Sequence, residues 1–318
     1  MSRSPINPAI APHHGVAASC VCLPTAKPAP WRTVLAFLAE RMPAVPQADW
    51  LARFNHGLVL SEAGQALRPD APFHGGARIY YYRELPNEQP VPFEETVLFQ
   101  DEHLVVADKP HFLPVTPGGR YVQNSLLVRL QRKLHLPQLA PLHRIDRETA
   151  GLVLFAVKPA ERGAYHALFS GRTMRKAYEA IAPSTEGLSW PYIRRSRLEE
   201  HPTEFYRMVE NPADSAPNSE THIECVEQRG PWARYQLSPI SGKRHQLRVH
   251  MNALGLPIVG DQLYPVVRHG PDDEENFSEP LQLLAKHIGF TDPITCEERT
   301  FQSERTLAWP GEPNPSLR

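Results

Sequence analysis

The sequence predicts an α+β fold for residues 94–318, on three observations. Apolar runs of strand length outnumber amphipathic helical segments there. The two kinds of segment do not alternate in the regular rhythm of a doubly wound sheet. The 34 prolines among 318 residues cut the chain into short elements. A chain of this length accommodates one large domain and one small one. It carries no internal repeat and no dinucleotide fingerprint.

In chain order, residues 1–29, rich in Pro, Ala and His, read as an irregular leader. Val34, Leu35, Phe37 and Leu38 give a short helix within 31–41, and residues 47–54 give a second. Residues 58–60 and 77–82 read as short strands, which makes 30–84 a small module. Pro86, Pro90 and Pro92 mark 85–93 as a linker. The larger domain, 94–318, opens with strands at 97–99 and 104–107. Residues 152–157 are a continuous apolar run closed by Lys158 and Pro159, a buried strand. A helical segment at 161–170 and a strand at 174–181 follow. Residues 241–254 read as a helix with Ser241 as its cap and Gly255 as its stop. On it Leu247, Met251 and Leu254 face the core, while Arg244 and Arg248 share another side with His245 close by.

The net charge of −1 is not that of a wholly basic nucleic-acid binder. Positive clusters nevertheless stand at Arg129, Arg132 and Lys133; Arg172, Arg175 and Lys176; Arg194, Arg195 and Arg197; and Lys243, Arg244 and Arg248. Gathered on one face they would make a track for phosphates, opposed by an acidic block from Asp272 to Glu275. Cys20, Cys22, Cys225 and Cys296 are too few and too scattered for a secreted disulfide framework. Cys20 and Cys22, near His13 and His14, lack the usual zinc spacing, so no metal is expected. With no spanning-length apolar stretch and no signal-peptide core, the expectation is a cytoplasmic protein off the membrane.

The run from His143 to Leu152 sets Asp146 between Arg144 and Arg147, just before the apolar strand. Neighbouring cations favour an ionised carboxylate, and an ionised Asp on a loop held by a rigid strand can serve as nucleophile or base. Taken alone, such an Asp is more often a surface ion pair. A kinase catalytic loop is excluded, because Ile145 separates Arg144 from Asp146 and no Asn follows at the required spacing.

This run resembles the His-Arg-Leu-Asp-x-x-Thr-Ser-Gly-Leu signature of the RluA-type pseudouridine synthases, with Ile145 and Ala150 as mild substitutions. Residues 241–250 resemble the family's Thr-Gly-Arg-Thr-His-Gln-Ile-Arg-Val-His block, with Lys243-Arg244 in place of Arg-Thr. Residues 255–264 resemble the Gly-His-Pro-Ile-x-Gly-Asp-x-x-Tyr block that follows, and 284–290 match a later one with Leu284 where His is common. The resemblance implies a mixed, largely antiparallel sheet with a central cleft where the Asp146 loop meets the Arg248 helix. It implies that Arg248 pairs with the catalytic Asp146 and that Tyr178 stacks on the target uracil. Residues 30–84 resemble more loosely an S-four-like RNA-binding module.

The activity implied is isomerisation of specific uridines in structured RNA, ribosomal or transfer, to pseudouridine, with no cofactor. The base would be flipped out, with His143 or Arg144 filling the vacated space. Asp146 would attack C6 of the base or C1′ of the ribose, and Tyr178 is a candidate for the later loss of the C5 proton. Lys176, Lys243, Arg244 and His245 complete the expected RNA contacts of a monomer with no obligatory protein partner. The rivals are a non-catalytic RNA-binding or ribosome-assembly factor, for which Asp146, Tyr178 and Arg248 are not needed as a set, and a methyltransferase, for which the glycine-rich cofactor loop is missing.

Overall fold

The computed structural model describes residues 7, 9–13, 15–25, 28–83, 88–211, 216–270 and 273–313. His14, linker residues 85–87, Asp272 and much of the leader lie outside them. Two units divide the described residues, one within Met1–Glu88 and Pro117–Gln123, the other within Gln89–Thr116 and Asn124–Arg318.

The first unit comprises β1 (Ser19–Cys22), α1 (Val34–Arg41), α2 (Gln47–Asn55), β2 (Val59–Leu60) and β3 (Arg78–Tyr81). Thr33 caps α1, its hydroxyl accepting the Ala36 amide at 3.2 Å. Phe37, Leu38, Trp50 and Phe54 from the two helices pack on Val59 and Ile79. The strands run in the order β1-β3-β2 among the described residues, all antiparallel. Residues 19–22 therefore depart from the expected irregular leader: they add a strand along β3, with Cys20 opposite Tyr80. Four residues set among prolines carry too short a pattern to read in sequence, and the edge of β3 supplies the order.

The second unit continues with β4 (Thr96–Gln100), β5 (Leu104–Lys109), α3 (Leu126–Lys133), β6 (Ala140–Pro141), β7 (Ala150–Ala156), α4 (Arg162–Ser170), β8 (Arg175–Pro183) and β9 (Tyr192–Ser196). It ends with β10 (Leu198–Glu200), β11 (Met208–Glu210), β12 (Ser219–Arg229), β13 (Trp232–Pro239), α5 (Gln246–Ala253), β14 (Leu283–Thr291) and β15 (Glu298–Gln302). Residues 89–93, expected as linker, belong to this unit. Val91 and Phe93 are buried, and the Arg129 guanidinium on α3 donates to both their carbonyls at 2.7 Å.

The main sheet runs β4-β5-β7-β14-β8-β13-β12-β9, with β15 also on β14 and β6 on β7. Every pairing is antiparallel except β7 with β14. The fold is α+β with a mixed, mostly antiparallel sheet. β5 and β7 are buried along their whole length, which is why residues 104–107 and 152–156 read as unbroken apolar runs instead of alternating ones. At the parallel crossing Gly151 has φ +110°, and a Cβ there would stand 2.3 Å from the Ala285 carbonyl oxygen. Only glycine admits that approach, and it fixes β7 directly behind the Asp146 loop.

Helix α5 starts at Gln246, four residues later than the Ser241 cap predicts. His245, in the left-handed region with φ 52°, turns the chain into the helix, and the Ser241 hydroxyl donates instead to the Gln246 side-chain carbonyl at 2.7 Å. Leu247 and Met251 enter a core cluster with Ala180, Ile223, Tyr235 and Leu237, and Leu254 packs against it. On the polar side Gln246 donates to the Glu220 carbonyl and the Thr221 hydroxyl at 2.9 Å each. His250 lies 3.0 Å from the hydroxyls of Ser196 and Ser219 and 2.9 Å from that of Thr221. These bonds, one helical turn apart, fix the rotation of α5 and with it the direction of Arg248.

Candidate active site

The loop between β6 and β7 carries Asp146 and is braced from several sides. The Thr149 amide donates to the Asp146 carbonyl at 3.2 Å, closing a turn. Lys109, wholly buried at the end of β5, donates to the carbonyls of Pro110 and Arg147 at 2.9 Å each. A ring nitrogen of His111 stands 2.7 Å from the Glu148 carbonyl. Arg147 is turned away from Asp146, bonding Glu148 at 2.9 Å and both oxygens of Glu275 at 2.8 and 2.7 Å.

Arg248 is 1% exposed, whereas the side chain of Asp146 is 23% exposed. The guanidinium spends two nitrogens on Asp261, with Nε 2.8 Å from Oδ2 and Nη2 2.7 Å from Oδ1. Its Nη1 is left to face Asp146 Oδ2 at 3.4 Å and Glu148 Oε2 at 3.7 Å. Asp261 is itself held by the amides of Leu263 and Tyr264 at 2.9 and 3.1 Å. This planar fork grips Asp261 with two nitrogens and turns the third towards Asp146 and Glu148, a geometry an ammonium cannot reproduce.

Burial works against these charges, and the pairs outweigh it. It would raise the Glu148 carboxyl, but Arg147 and Arg248 bring it down to about 2. Burial opposes the charge on Arg248 too, yet Asp261, Asp146 and Glu148 hold it protonated far above any working pH. For Lys109 burial wins instead, pushing its ammonium down to about 7 against the pull of Glu148 and Asp146. Tyr178, half-buried on β8 opposite Ala285 and Leu237, has its phenol pushed well above the ordinary range by burial first and the charge of Asp146 second. It is a neutral ring beside the carboxylate.

Sequence reasoning placed His245 among the RNA contacts, and the structure turns it inward. Its Nδ1 stands 3.0 Å from the Tyr264 hydroxyl and its Nε2 is 4.0 Å from Asp146 Oδ2. Burial lowers its pKa, so it is a neutral neighbour of the carboxylate and not a cation for phosphates. His143 is likewise used by the fold: its Nε2 accepts the Leu154 amide at 3.1 Å, its ring lies 5.0 Å from that of Phe169, and burial pushes its pKa down to about 3. Arg244 is exposed but its guanidinium donates to the carbonyls of Phe205 and Arg207. Arg144 and Lys243 are exposed, and Lys176 is partly buried with its pKa lowered by burial.

The expected phosphate track is largely consumed within the fold. Arg175 pairs with Glu298, Arg194 with Glu210, Arg195 with Glu220 and Arg197 with Glu199. Lys109, Glu148, Asp261 and Tyr264 were missed as site residues. The Lys-Pro after β5 and the Gly-Asp-x-x-Tyr run were the available signals, but which carboxylate meets which cation depends on tertiary register. Among the described residues no group of three or more His, Cys, Asp or Glu is placed to hold a metal ion. Nor is any helix among them long and apolar enough to cross a membrane.

The buried histidines give the fold a pH dependence with a definite sign. Burial depresses His111 and His250 to about 4 and His143 to about 3, so the native state resists protons that the unfolded chain binds near pH 6.5. Stability is complete above that value and is lost as pH falls towards 4, by up to about 3 kcal/mol for each histidine. The unfolding midpoint should drop steeply between pH 6.5 and 4, and a flat profile across that window would contradict these burials.

The sequence profile described as RNA pseudouridylate synthase matches residues 103–253. The dual-specificity RNA pseudouridine synthase RluA of Salmonella typhi is 33% identical over 223 residues, which cover 65% of this chain and 91% of that protein. The tRNA pseudouridine synthase C of Vibrio vulnificus is 28% identical over 231 residues, covering 67% and 91% respectively. Among solved structures, human RNA pseudouridylate synthase domain containing 1 shares the fold with a TM-score of 0.54, at 22% identity over 70% of this chain and 94% of that one.

Proposed function

Because the chain belongs to the RluA-type RNA pseudouridylate synthases, which are isomerases, we propose that Asp146 is the carboxylate with which it converts specific uridines of structured RNA to pseudouridine. The observation that carries this is the Arg248 fork, locked on Asp261 and presenting its remaining nitrogen to an Asp146 that stays open to substrate.

In the reaction the bond from N1 to C1′ breaks, the base turns, a bond from C5 to C1′ forms, C5 loses its proton and N1 gains one. Asp146, held ionised by Arg248, attacks C6 of the base or C1′ of the ribose. Tyr178 offers a flat ring on which a flipped uracil regains stacking. Its raised pKa supports that role better than proton removal from C5, which would need a phenolate. Arg144, Lys176 and Lys243 are the cations left to meet phosphates, and the first unit is the S-four-like module that adds RNA contacts. The substrate is transfer or ribosomal RNA; the name of one relative favours transfer RNA.

The test uses transfer and ribosomal RNA from cells lacking the gene, labelled with tritium at C5 of uridine. Isomerisation frees that tritium to water. Stoichiometric release from one class, with pseudouridine mapped at defined positions, is expected. No release from either class would refute the assignment.

A further inference from the structure

Phe205 is 73% exposed, more than any other large apolar side chain among the described residues. It stands in the turn of the hairpin formed by β10 and β11, and that turn is stiff. The His201 amide donates to the Arg207 carbonyl at 3.1 Å, the Arg207 amide to the Glu204 carbonyl at 2.8 Å, and the Glu204 amide to His201 Nδ1 at 3.1 Å. Tyr206 meets the Phe205 ring edge to face, with 5.6 Å between centroids.

The turn is also tied to the residues around Asp146. Arg244 donates to the Phe205 and Arg207 carbonyls, and Arg207 donates to the Pro265 carbonyl at 3.1 Å. The Tyr264 hydroxyl accepts the Met208 amide at 2.8 Å and lies 3.0 Å from His245, the neighbour of Asp146. The backbone that carries this exposed aromatic ring is thus linked through Arg207, Met208, Tyr264 and His245 to the surroundings of Asp146. The nearby cations are occupied, Arg207 with Glu204 at 2.8 Å and Arg244 near Glu200 at 3.7 Å, so the turn suits a flat, uncharged partner more than a phosphate.

We propose that Phe205 is a stacking platform for a nucleobase flanking the uridine that is isomerised. The proposal rests on the reaction assigned above. Extruding one base strips its neighbours of a stacking partner, and a π-face at the rim restores that contact without reading sequence. Arg244 then acts as the clamp that positions the Phe205 backbone, which gives a role to an arginine that stands where the family block has Thr.

Phe205→Ala should raise the half-saturating concentration of the tritiated RNA roughly tenfold, the size of one lost base stack, with a smaller effect on maximal rate. Phe205→Tyr should stay close to the parent, whereas Phe205→Leu, apolar but not aromatic, should behave like Phe205→Ala. At 73% exposure none of these changes disturbs the core. Phe205→Trp, placed in a non-reacting Asp146→Asn background, should lose emission as the same RNA binds, relative to Asp146→Asn alone. Parental affinity in Phe205→Ala or Phe205→Leu, or an unmoved tryptophan with RNA bound, would overturn the platform and leave the turn as a protein contact. If the parent released no tritium, the reaction assignment would fall, while the Phe205→Trp emission would still report on stacking.

Discussion

Asp146→Ala and Asp146→Asn are each expected to reduce tritium release by at least about four orders of magnitude, the scale seen when a nucleophile is removed from an enzyme that depends on it. RNA affinity should stay within a few fold, because phosphate contacts made elsewhere dominate binding. The fold should also survive. Arg248 keeps its two short bonds to Asp261, and Asp146 contributes only the longer 3.4 Å contact from a side chain already 23% exposed. A melting temperature near the parental one, together with lost turnover, separates a chemical role from a structural one. Normal turnover in Asp146→Ala would end the mechanism.

Arg248→Ala should be damaging in two ways that can be measured separately. Asp261 is 1% exposed, and without its partner it becomes an unpaired buried carboxylate, at a cost of about 3–5 kcal/mol. Activity should fall on the order of a hundredfold or more, since the charge and aim of Asp146 both depend on that guanidinium. Arg248→Lys keeps a charge but cannot bond both oxygens of Asp261 while facing Asp146, so intermediate activity at best is expected. The double variant Asp146→Ala with Arg248→Ala should turn over no more slowly than Asp146→Ala, because both residues serve one step. If Arg248→Ala reacted at the parental rate and only bound RNA more weakly, Arg248 would be a phosphate contact.

How much of this was legible in the sequence follows from how local each signal is. The α+β class, β5 and β7 came from continuous apolar runs and their order, and the apolar face of α5 from helical spacing, all of them written in consecutive residues. The closeness of Asp146 and Arg248 came from a resemblance, since no local rule joins residues so far apart. The start of α5 was misjudged because Ser241 has the chemistry of a cap, while the left-handed His245 that begins the helix has no such signature. His143, His245 and Arg244 look like surface groups by residue type. The burial of the two histidines and the partners of all three are set by β7, Tyr264 and the β10–β11 turn, elements that only the folded chain brings near.

The parallel seam between β7 and β14 has a consequence for biosynthesis. Ala150 pairs with Leu284, about 130 residues later in the chain, so during translation β7 is made long before one of its neighbours. β5 and β6 precede it and pair with it at once, β6 only at Phe155 and Ala156; the stretch of this apolar strand that meets β14, Ala150 and Gly151, waits through the synthesis of the β8–β13 region and α5. Arg248 and Asp261 also emerge late, so the carboxylate of a nascent chain has no guanidinium to organise it. Such long-range closure is slow and leaves an aggregation-prone intermediate. The proposed site is therefore completed only as the last third of the chain is synthesised, and a chain truncated before β14 is expected to be aggregation-prone and inactive.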